Sequence, residues 1–476
     1  MNQNDKHVFA REDHSAMPNI IFFLIDDMGW KDLGCYESDF YETPNIDTLA
    51  SEGVRFTDAY AACPVCSPTR ASIMSGKYPA SVGVTDWIGA HTKGKLIDAP
   101  YIDHLPLEEK SIAQSLKEGG YDTWHVGKWH LGSKPYYPDQ HGFDVNIGGC
   151  EWGQPVHGYF SPYHIETLED GPDGEYLTNR LTYEAIHLIR ERGDNPFFLH
   201  FSHYAVHTPI QAPQHLVEKY KSKAKKLGLD KIQPFEEGEF FPCDHKNQLR
   251  LQRRRVQSDP VYAAMIENLD TNIGRIMTVL EETGQASNTV IIFTSDNGGL
   301  ATSEGSPTCN FPLNEGKGWM YEGGVREPLV IKWPGVTKPG SICSVPVTSP
   351  DFYPTLLEIA NLPLQPKQHS DGVSFVPLLK GAETLNREAI YWHYPHYGNQ
   401  GGTPGSSIRM GDFKLIEFFE DGRLELYNLR IDISEEKNVV DHYPEMAVKM
   451  QKKLKEWRES VEAILPQSNP DYLASS

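Results

Sequence analysis

Four stretches of the chain end in side chains equipped for chemistry. NIIFFLIDD (Asn19–Asp27) ends in Asp26-Asp27, and NTVIIFTSDN (Asn288–Asn297) ends in Asp296-Asn297. YDTWHV runs into Gly127-Lys128-Trp129-His130, and FFLHFS runs into His203 and then His207-Thr208-Pro209. Three carboxylates and an amide are an all-oxygen donor set. Such a set suits a hard divalent cation, Ca²⁺ ahead of Mg²⁺, and not zinc. The ordinary alternative is solvated Asp and Asn at strand ends. Two acid-rich ends together with two rich in Lys and His favour a site.

A fifth stretch, ACPVCSPTRASIMSGKYP (Ala62–Pro79), holds a C-x-x-C. It reads as half a zinc site, a redox pair, two buried thiols, or a nucleophile at the mouth of a helix. Zinc wants a second ligand pair, and no other C-x-x-C or close His pair supplies one. A redox pair wants a small thioredoxin-like context, which this chain is not. Ser67 suits an N-cap and Pro68 the first helical position, so the spacing predicts a helix running through Ile73 and Met74. Cys66 then sits just before a helix N-terminus, where free N–H groups favour anions and lower a thiol's pKa. Arg70, in the first turn, is able to fold back to the same spot. That coincidence favours a nucleophile over a structural thiol.

The elements that must position these groups are legible in the apolar pattern. From Asn19 to about Trp333, apolar runs alternate with amphipathic stretches, as in an α/β fold with a largely parallel sheet. NIIFFLIDD is a buried strand, NIDTLASEG a helix ended by Gly53, and VRFTDAY the next strand. YDTWHV, NPFFLHFS and NTVIIFTSD are further strands, and Tyr262–Gly284 is a long amphipathic helix. Parallel sheets bind ligands off the carboxyl ends of their strands, where all four polar clusters fall. Neighbouring side chains on a strand point to opposite faces, so Asp26 and Asp27 act together only if the chain is already turning there. After about residue 376, REAIYWHYP, SSIRMGDFKLIEFF and RLELYNL read as an antiparallel sheet, with YPEMAVKMQKKLKEWRESVEA as a closing helix. Two units are expected: a catalytic α/β domain over 1–375 and an α+β subdomain over 376–476.

Composition narrows the function. The chain has 476 residues, 40 of them Gly and 34 Pro, the profile of a loop-rich globular protein. A net charge of −21 argues against a nucleic-acid partner, so any anionic substrate must meet basic groups gathered locally. No run approaches the roughly 18 apolar residues of a membrane span, so no membrane partner is expected. The opening MNQNDKHVFAREDHSAMPN has no apolar signal core, which fits either a cytoplasmic protein or an exported one whose signal was removed. Seven scattered cysteines suit a reducing compartment better than a disulfide framework. Cys35, Cys150, Cys243, Cys309 and Cys343 read as structural.

Cys66-Ser-Pro-Thr-Arg70 resembles the C-x-P-x-R motif of the type I sulfatases, in which the cysteine is converted to formylglycine. G-Y-D-T-W-H-V-G-K-W-H (Gly120–His130), the early Asp-Asp, S-D-N-G-G (Ser295–Gly299) and G-K-G-W-M-Y-E-G-G-V-R-E-P (Gly316–Pro328) are similar to further motifs of that family, in the same order. The one small departure is Ser75 before Gly76, where Thr is usual. The resemblance implies an alkaline-phosphatase-like sandwich around a large, mostly parallel sheet, with the C-terminal antiparallel subdomain and closing helix. It implies that Cys66 is the formylglycine precursor and needs a formylglycine-generating enzyme during maturation. Asp26, Asp27, Asp296 and Asn297 would bind the metal, with residue 66 completing the shell. Arg70 and Lys128 would hold the formylglycine, and His130 would serve as its base. His207 and Lys317 would bind the sulfate along with Lys128, and His207 would protonate the leaving oxygen. In the implied mechanism one hydroxyl of hydrated formylglycine attacks sulfur, and loss of a proton from the second releases sulfate.

The substrate is expected to be a sulfated carbohydrate. GVTDWIGAHT, YYPDQHGFDVNIGG and WGQP resemble segments of bacterial arylsulfatase-A-like enzymes, nearest in look to exo-acting galactose or N-acetylgalactosamine 4-O-sulfatases. Trp87, His91, His393, His396 and Arg409 are the candidate sugar contacts, and HYPHYGNQGGTPGSS a mobile loop beside them. His200 and His203 read as core or supporting histidines, and RLQRRR (Arg250–Arg255) as a solvated helix face. Two other functions are carried alongside: a phosphonate or phosphate ester hydrolase of the same superfamily, and a catalytically silent glycan- or metal-binding protein.

Overall fold

The computed structural model describes residues 17–472. The stretch read for an export signal lies largely outside these described residues. In the strand Asn19–Ile25 every residue is buried. Ile21, Phe23 and Ile25 face one core and Ile20, Phe22 and Leu24 the other. A strand covered on both faces has no polar side, which is why this segment carries no alternation.

It lies at the centre of a nine-stranded sheet. Phe197–Ser202 flanks it in parallel on one side and Thr289–Ser295 in parallel on the other. Beyond Phe197–Ser202 come Asp122–Gly127 and Val145–Ile147, also parallel. Beyond Thr289–Ser295, Arg326–Lys332 and then Val54–Tyr60 pair antiparallel to their neighbours. Helices Leu177–Glu191, Gln214–Lys226 and Pro260–Glu282 supply one core, and Cys66–Ser75, Ile112–Glu118 and Phe352–Ile359 the other. The result is a helix–sheet–helix sandwich of the alkaline-phosphatase-like kind, with a mixed, mostly parallel sheet.

The C-terminal part is a four-stranded antiparallel meander, Ile390–Tyr394, Gly405–Met410, Phe413–Phe418 and Leu424–Asn428. Helix Pro444–Ser460 covers one face through Ala447, Met450 and Leu454. The other face, with Trp392 and Ile416, packs on Tyr60, Cys63 and Val65, the chain leading into Cys66. Trp392 Nε1 donates to Ala61 O at 2.8 Å, and Arg409 Nη1 pairs with Asp58 Oδ1 at 2.8 Å.

Two sequence expectations change here. RLQRRR is not a helix face: Arg250–Arg254 is a strand paired with Phe235–Phe240, and Arg253 and Arg255 meet Glu239 and Glu236 across the hairpin. Cross-strand charge pairing explains the basic run that a helical reading left to solvent. The glycine-rich loop after Tyr394 is compact, not open. Gly398 N donates to Gly402 O at 2.9 Å, and Trp319 Nε1 to Gln400 O at 2.9 Å. A Cβ on Gly402 would stand 1.9 Å from Gly318 O, so glycine here permits close backbone approach.

A dry charge cluster joins the meander to the short helix Glu322–Val325, which leads into strand Arg326–Lys332 of the larger sheet. Lys414 Nζ, fully buried, lies 2.9 Å from Glu322 Oε1 and 3.1 Å from Glu435 Oε1. Burial pushes the Glu435 carboxyl up, to about 8, against the pull of Lys414 and with the charge of Glu322 adding to the rise. A carboxyl raised on folding favours the fold below its unfolded value of 4.5 and costs stability as pH climbs through about 8. Glu435→Gln should therefore match wild type in thermal unfolding at pH 5 and exceed it above pH 8, by about 2 kcal/mol. A constant offset at both pH values would contradict this.

Candidate active site

The chain turns immediately after the first strand. Asp27 has a φ of 60°, in the left-handed region, so Asp26 and Asp27 no longer alternate across the sheet. Both are buried, and Asp27 N donates to Asp296 Oδ1 at 3.2 Å across the adjacent strand end. Asn297 Nδ2 donates to Asp27 Oδ1 at 2.8 Å, while Asn297 Oδ1 is buried with no partner.

Three cations answer the three acids. Lys128 Nζ lies 2.9 and 2.8 Å from the two Asp26 oxygens. Arg70 Nε donates to Asp296 Oδ2 at 2.9 Å, and its Nη2 lies 3.6 Å from Asp26 Oδ1. Lys317 Nζ bonds Asp27 Oδ2 at 2.8 Å and His207 Nε2 at 2.9 Å. The burial penalty and the other two carboxylates hold Asp26 above the usual carboxylate range, whereas Lys317 and His207 overcome burial at Asp27 and hold it low. The all-oxygen set with an orphaned amide oxygen fits a hard cation held by Asp26, Asp27, Asp296 and Asn297.

Cys66 lies at the edge of this cluster. The helix starts two residues earlier than expected, at Cys66 itself and not at Pro68, with Val65 extended before it and no side-chain cap. Ser67 Oγ is engaged elsewhere, accepting from Ile88 N at 3.1 Å. Cys66 Sγ stands 3.3 Å from His130 Nδ1. Burial pushes its thiol above the ordinary value, and the Lys128 and Lys317 charges only partly offset this. The expectation of a lowered thiol pKa is thus overturned: desolvation outweighs the helix end. Arg70 does not fold back onto the sulfur but is spent on the acids, with Nη1 also reaching Ser202 Oγ at 2.6 Å.

Both candidate histidines are neutral bases. Burial first, then Lys128 and Arg70, keep His130 well below the usual imidazole value. Its Nε2 faces Ile88 O at 3.3 Å, which leaves the Nδ1 lone pair toward residue 66. His207 is held at about 3 by burial and then by Lys317, with Asp27 opposing.

A cavity of about 530 Å³ opens onto Cys66, His130, His207 and Lys317, walled by Trp87 and Trp152. Glu304, Asn399 and Gln400 also line it; Asn399 and Gln400 belong to the glycine-rich loop noted in the sequence, while no sequence signal had singled out Glu304. Ser202 was also missed; the signal was its place at the carboxyl end of FFLHFS. Of the sugar candidates, only Trp87 lines the cavity. His393 bonds Ser406 Oγ and Ile464 O, Arg409 is spent on Asp58, and His396 is fully buried. His91 is exposed away from the cavity lining. His125 and His200 meet Nδ1 to Nδ1 at 3.0 Å inside the core, and His203 stacks on Phe201 at 4.0 Å. All seven cysteines are free.

The sulfatase family model matches residues 18–362. The chain belongs to that family. A model of the N-sulphoglucosamine sulphohydrolase C-terminal region matches residues 315–460. Members are sulfuric ester hydrolases, and the chain is an enzyme of that class. A "Sulfatase" from Formosa agariphila is 32% identical over 94% of this chain and 90% of that protein. Human N-acetylgalactosamine-6-sulfatase is 31% identical over 79% of this chain and 68% of its own length. Among solved structures, Ps i-CgsB in complex with k-i-k-neocarrahexaose aligns with a TM-score of 0.74 at 27% identity, over 97% of this chain and 95% of that one. Sulfatases of this type use formylglycine and a divalent metal.

The orphaned Asn297 oxygen gives a direct test of the acid cluster. Calcium titration of chelator-stripped protein should show Asn297→Ala and Asp296→Ala binding at least about ten-fold more weakly, since each removes a donor oxygen. Glu304→Gln, on the cavity wall, should bind as wild type does.

Proposed function

We propose that the chain removes sulfate from a carbohydrate by exo-attack, with the 4-O-sulfate of galactose or N-acetylgalactosamine as its leading substrate. The observation that carries this reading is Cys66 at the floor of a cavity, 3.3 Å from a neutral histidine, beside a buried cluster of three acids and three bases. With the charges otherwise matched three to three, a bound dication leaves the cluster net positive. An anionic ester is then attracted in spite of the protein's −21.

In this reading Asp26, Asp27, Asp296 and Asn297 hold the cation, and residue 66 is matured to formylglycine. When present, these two groups supply Lewis acidity at the sulfuryl oxygens and a nucleophilic hydroxyl. The chain's own side chains do the rest. Lys128 and Lys317 carry the positive charge that meets the sulfuryl oxygens, and they are preorganised because carboxylates already fix them. Arg70 anchors Asp296 and so sets the floor on which residue 66 rests.

His130 takes a proton at Nδ1, the nitrogen facing residue 66. Burial keeps that nitrogen free at neutral pH. His207 serves the leaving oxygen. It begins neutral; the negative charge of an incoming sulfate ester raises its proton affinity, so it takes up a proton from solvent and passes that proton to the leaving oxygen. Trp87 and Trp152 present apolar faces on which a sugar ring can pack.

The galactose-type preference is supported by the human relative's name, which specifies N-acetylgalactosamine. That name gives position 6 as the other sulfate to test. Sulfate release should be followed on galactose, N-acetylgalactosamine and N-acetylglucosamine sulfated at each single position, with a phosphate ester as control. Release from a 4-O-sulfated galactose-type sugar is the expected result, and release only from another sugar or position would overturn the assignment. His207→Ala should lower kcat by about 10²–10⁴-fold on a sugar sulfate. It should cost less on an activated aryl sulfate, whose leaving group needs no proton.

A further inference from the structure

A second cluster of ligand atoms lies outside the acid site. His396, Asp86 and Asp98 turn Nδ1, Oδ2 and Oδ1 toward one another, all within 4.8 Å. None of the three atoms has a hydrogen-bond partner. His396 and Asp86 are fully buried. The distances from His396 Nδ1 are 3.7 Å to Asp86 and 3.5 Å to Asp98. They exceed the roughly 2.7–3.2 Å of an N–H···O bond, so a protonated imidazole does not satisfy either carboxylate. Ligand atoms about 2.0–2.2 Å from a tetrahedral ion lie about 3.3–3.6 Å from each other, close to what is seen.

The opposite atom of each side chain is tied down. His396 Nε2 meets Thr85 Oγ1 at 2.9 Å; in the tautomer whose Nε2–H donates to that hydroxyl, Nδ1 offers its lone pair. Asp86 Oδ1 accepts from Trp87 N at 2.8 Å and from the Tyr394 hydroxyl at 3.0 Å. Asp98 Oδ2 accepts from Thr92 N at 2.6 Å. Supporting hydrogen bonds on the outer atoms and bare lone pairs on the inner ones are the arrangement of a metal site with its outer shell in place.

We propose that Asp86, Asp98 and His396 form a second cation site, separate from the acid cluster, that takes a divalent transition ion such as Zn²⁺. One imidazole nitrogen and two carboxylates are a borderline donor set, unlike the all-oxygen cluster of Asp26 and its neighbours. A fourth position is left for water. Asp86 precedes Trp87 and Ile88, and His396 lies three residues before Asn399, all of which line the cavity. The ion would thus fasten the Thr85–Asp98 segment to the loop after strand Ile390–Tyr394, joining two walls of the cavity.

The test uses the full chain, stripped with a chelator and then saturated with Ca²⁺ to fill the oxygen-lined cluster. Calorimetric titration with Zn²⁺ should show one further equivalent bound by wild type and by Asn297→Ala. His396→Gln and Asp98→Asn should each weaken that uptake at least ten-fold. Asp98 is partly exposed, so its variant stays informative if His396→Gln fails to fold. Wild type that takes up no Zn²⁺ after Ca²⁺, or variants that bind it unchanged, would overturn the proposal.

Discussion

Three carboxylates, Asp26, Asp27 and Asp296, are held out of water at the carboxyl ends of two adjacent parallel strands. Desolvating each charge costs several kcal/mol unless it is paired, and much of the surrounding structure answers that cost. Lys128, Arg70 and Lys317 come from three separate segments, each delivered by its own element. Lys128 follows a parallel strand, and its backbone N bonds Ser202 O at 2.7 Å. Arg70 is in the first turns of the helix that begins at Cys66. Lys317 lies in a loop whose Gly318 N bonds Pro64 O at 2.8 Å, so the loop is tied to the approach to Cys66. Moving any one of these elements would leave a buried charge unmatched.

The C-terminal meander has a part in the same balance. Its inner face packs on Tyr60, Cys63 and Val65 and so presses the chain into position just before Cys66. Arg409 and Lys414, which project from it, neutralise Asp58 on the larger sheet and Glu322 in the short helix that leads into strand Arg326–Lys332. The same meander carries His396 and leads to Asn399 and Gln400, so one docked surface sets both the reactive floor and a wall of the cavity. That dual use explains why the glycine-rich loop is tightly bonded.

The fold was legible where apolar pattern and turn chemistry agreed. Continuous apolar runs marked the central strands, and Gly53 ended its helix where expected. The acid cluster was legible too, because strand ends concentrate ligands. The failures share a physical cause: they concern burial and pairing, which spacing does not encode. Cys66 has the helix end that would favour a thiolate, but desolvation dominates. His393, His396 and Arg409 were candidate sugar contacts as hydrogen-bonding side chains on expected loops, but His393 and Arg409 lie on strands and each of the three has a structural neighbour. RLQRRR lacked any sign of the glutamates that face it, since those come from the other strand of a hairpin.

The central claim is that the buried cluster serves residue 66 as formylglycine and not as a thiol. The most direct measurement takes a single preparation series of this chain with graded conversion at residue 66. Conversion is quantified by the mass of the peptide containing it, and sulfate release is measured in parallel. The account predicts that rate rises in proportion to the converted fraction and extrapolates to zero for the pure thiol. Equal activity in the unconverted protein, or an inert fully converted one across the whole panel of sugar sulfates, would contradict it.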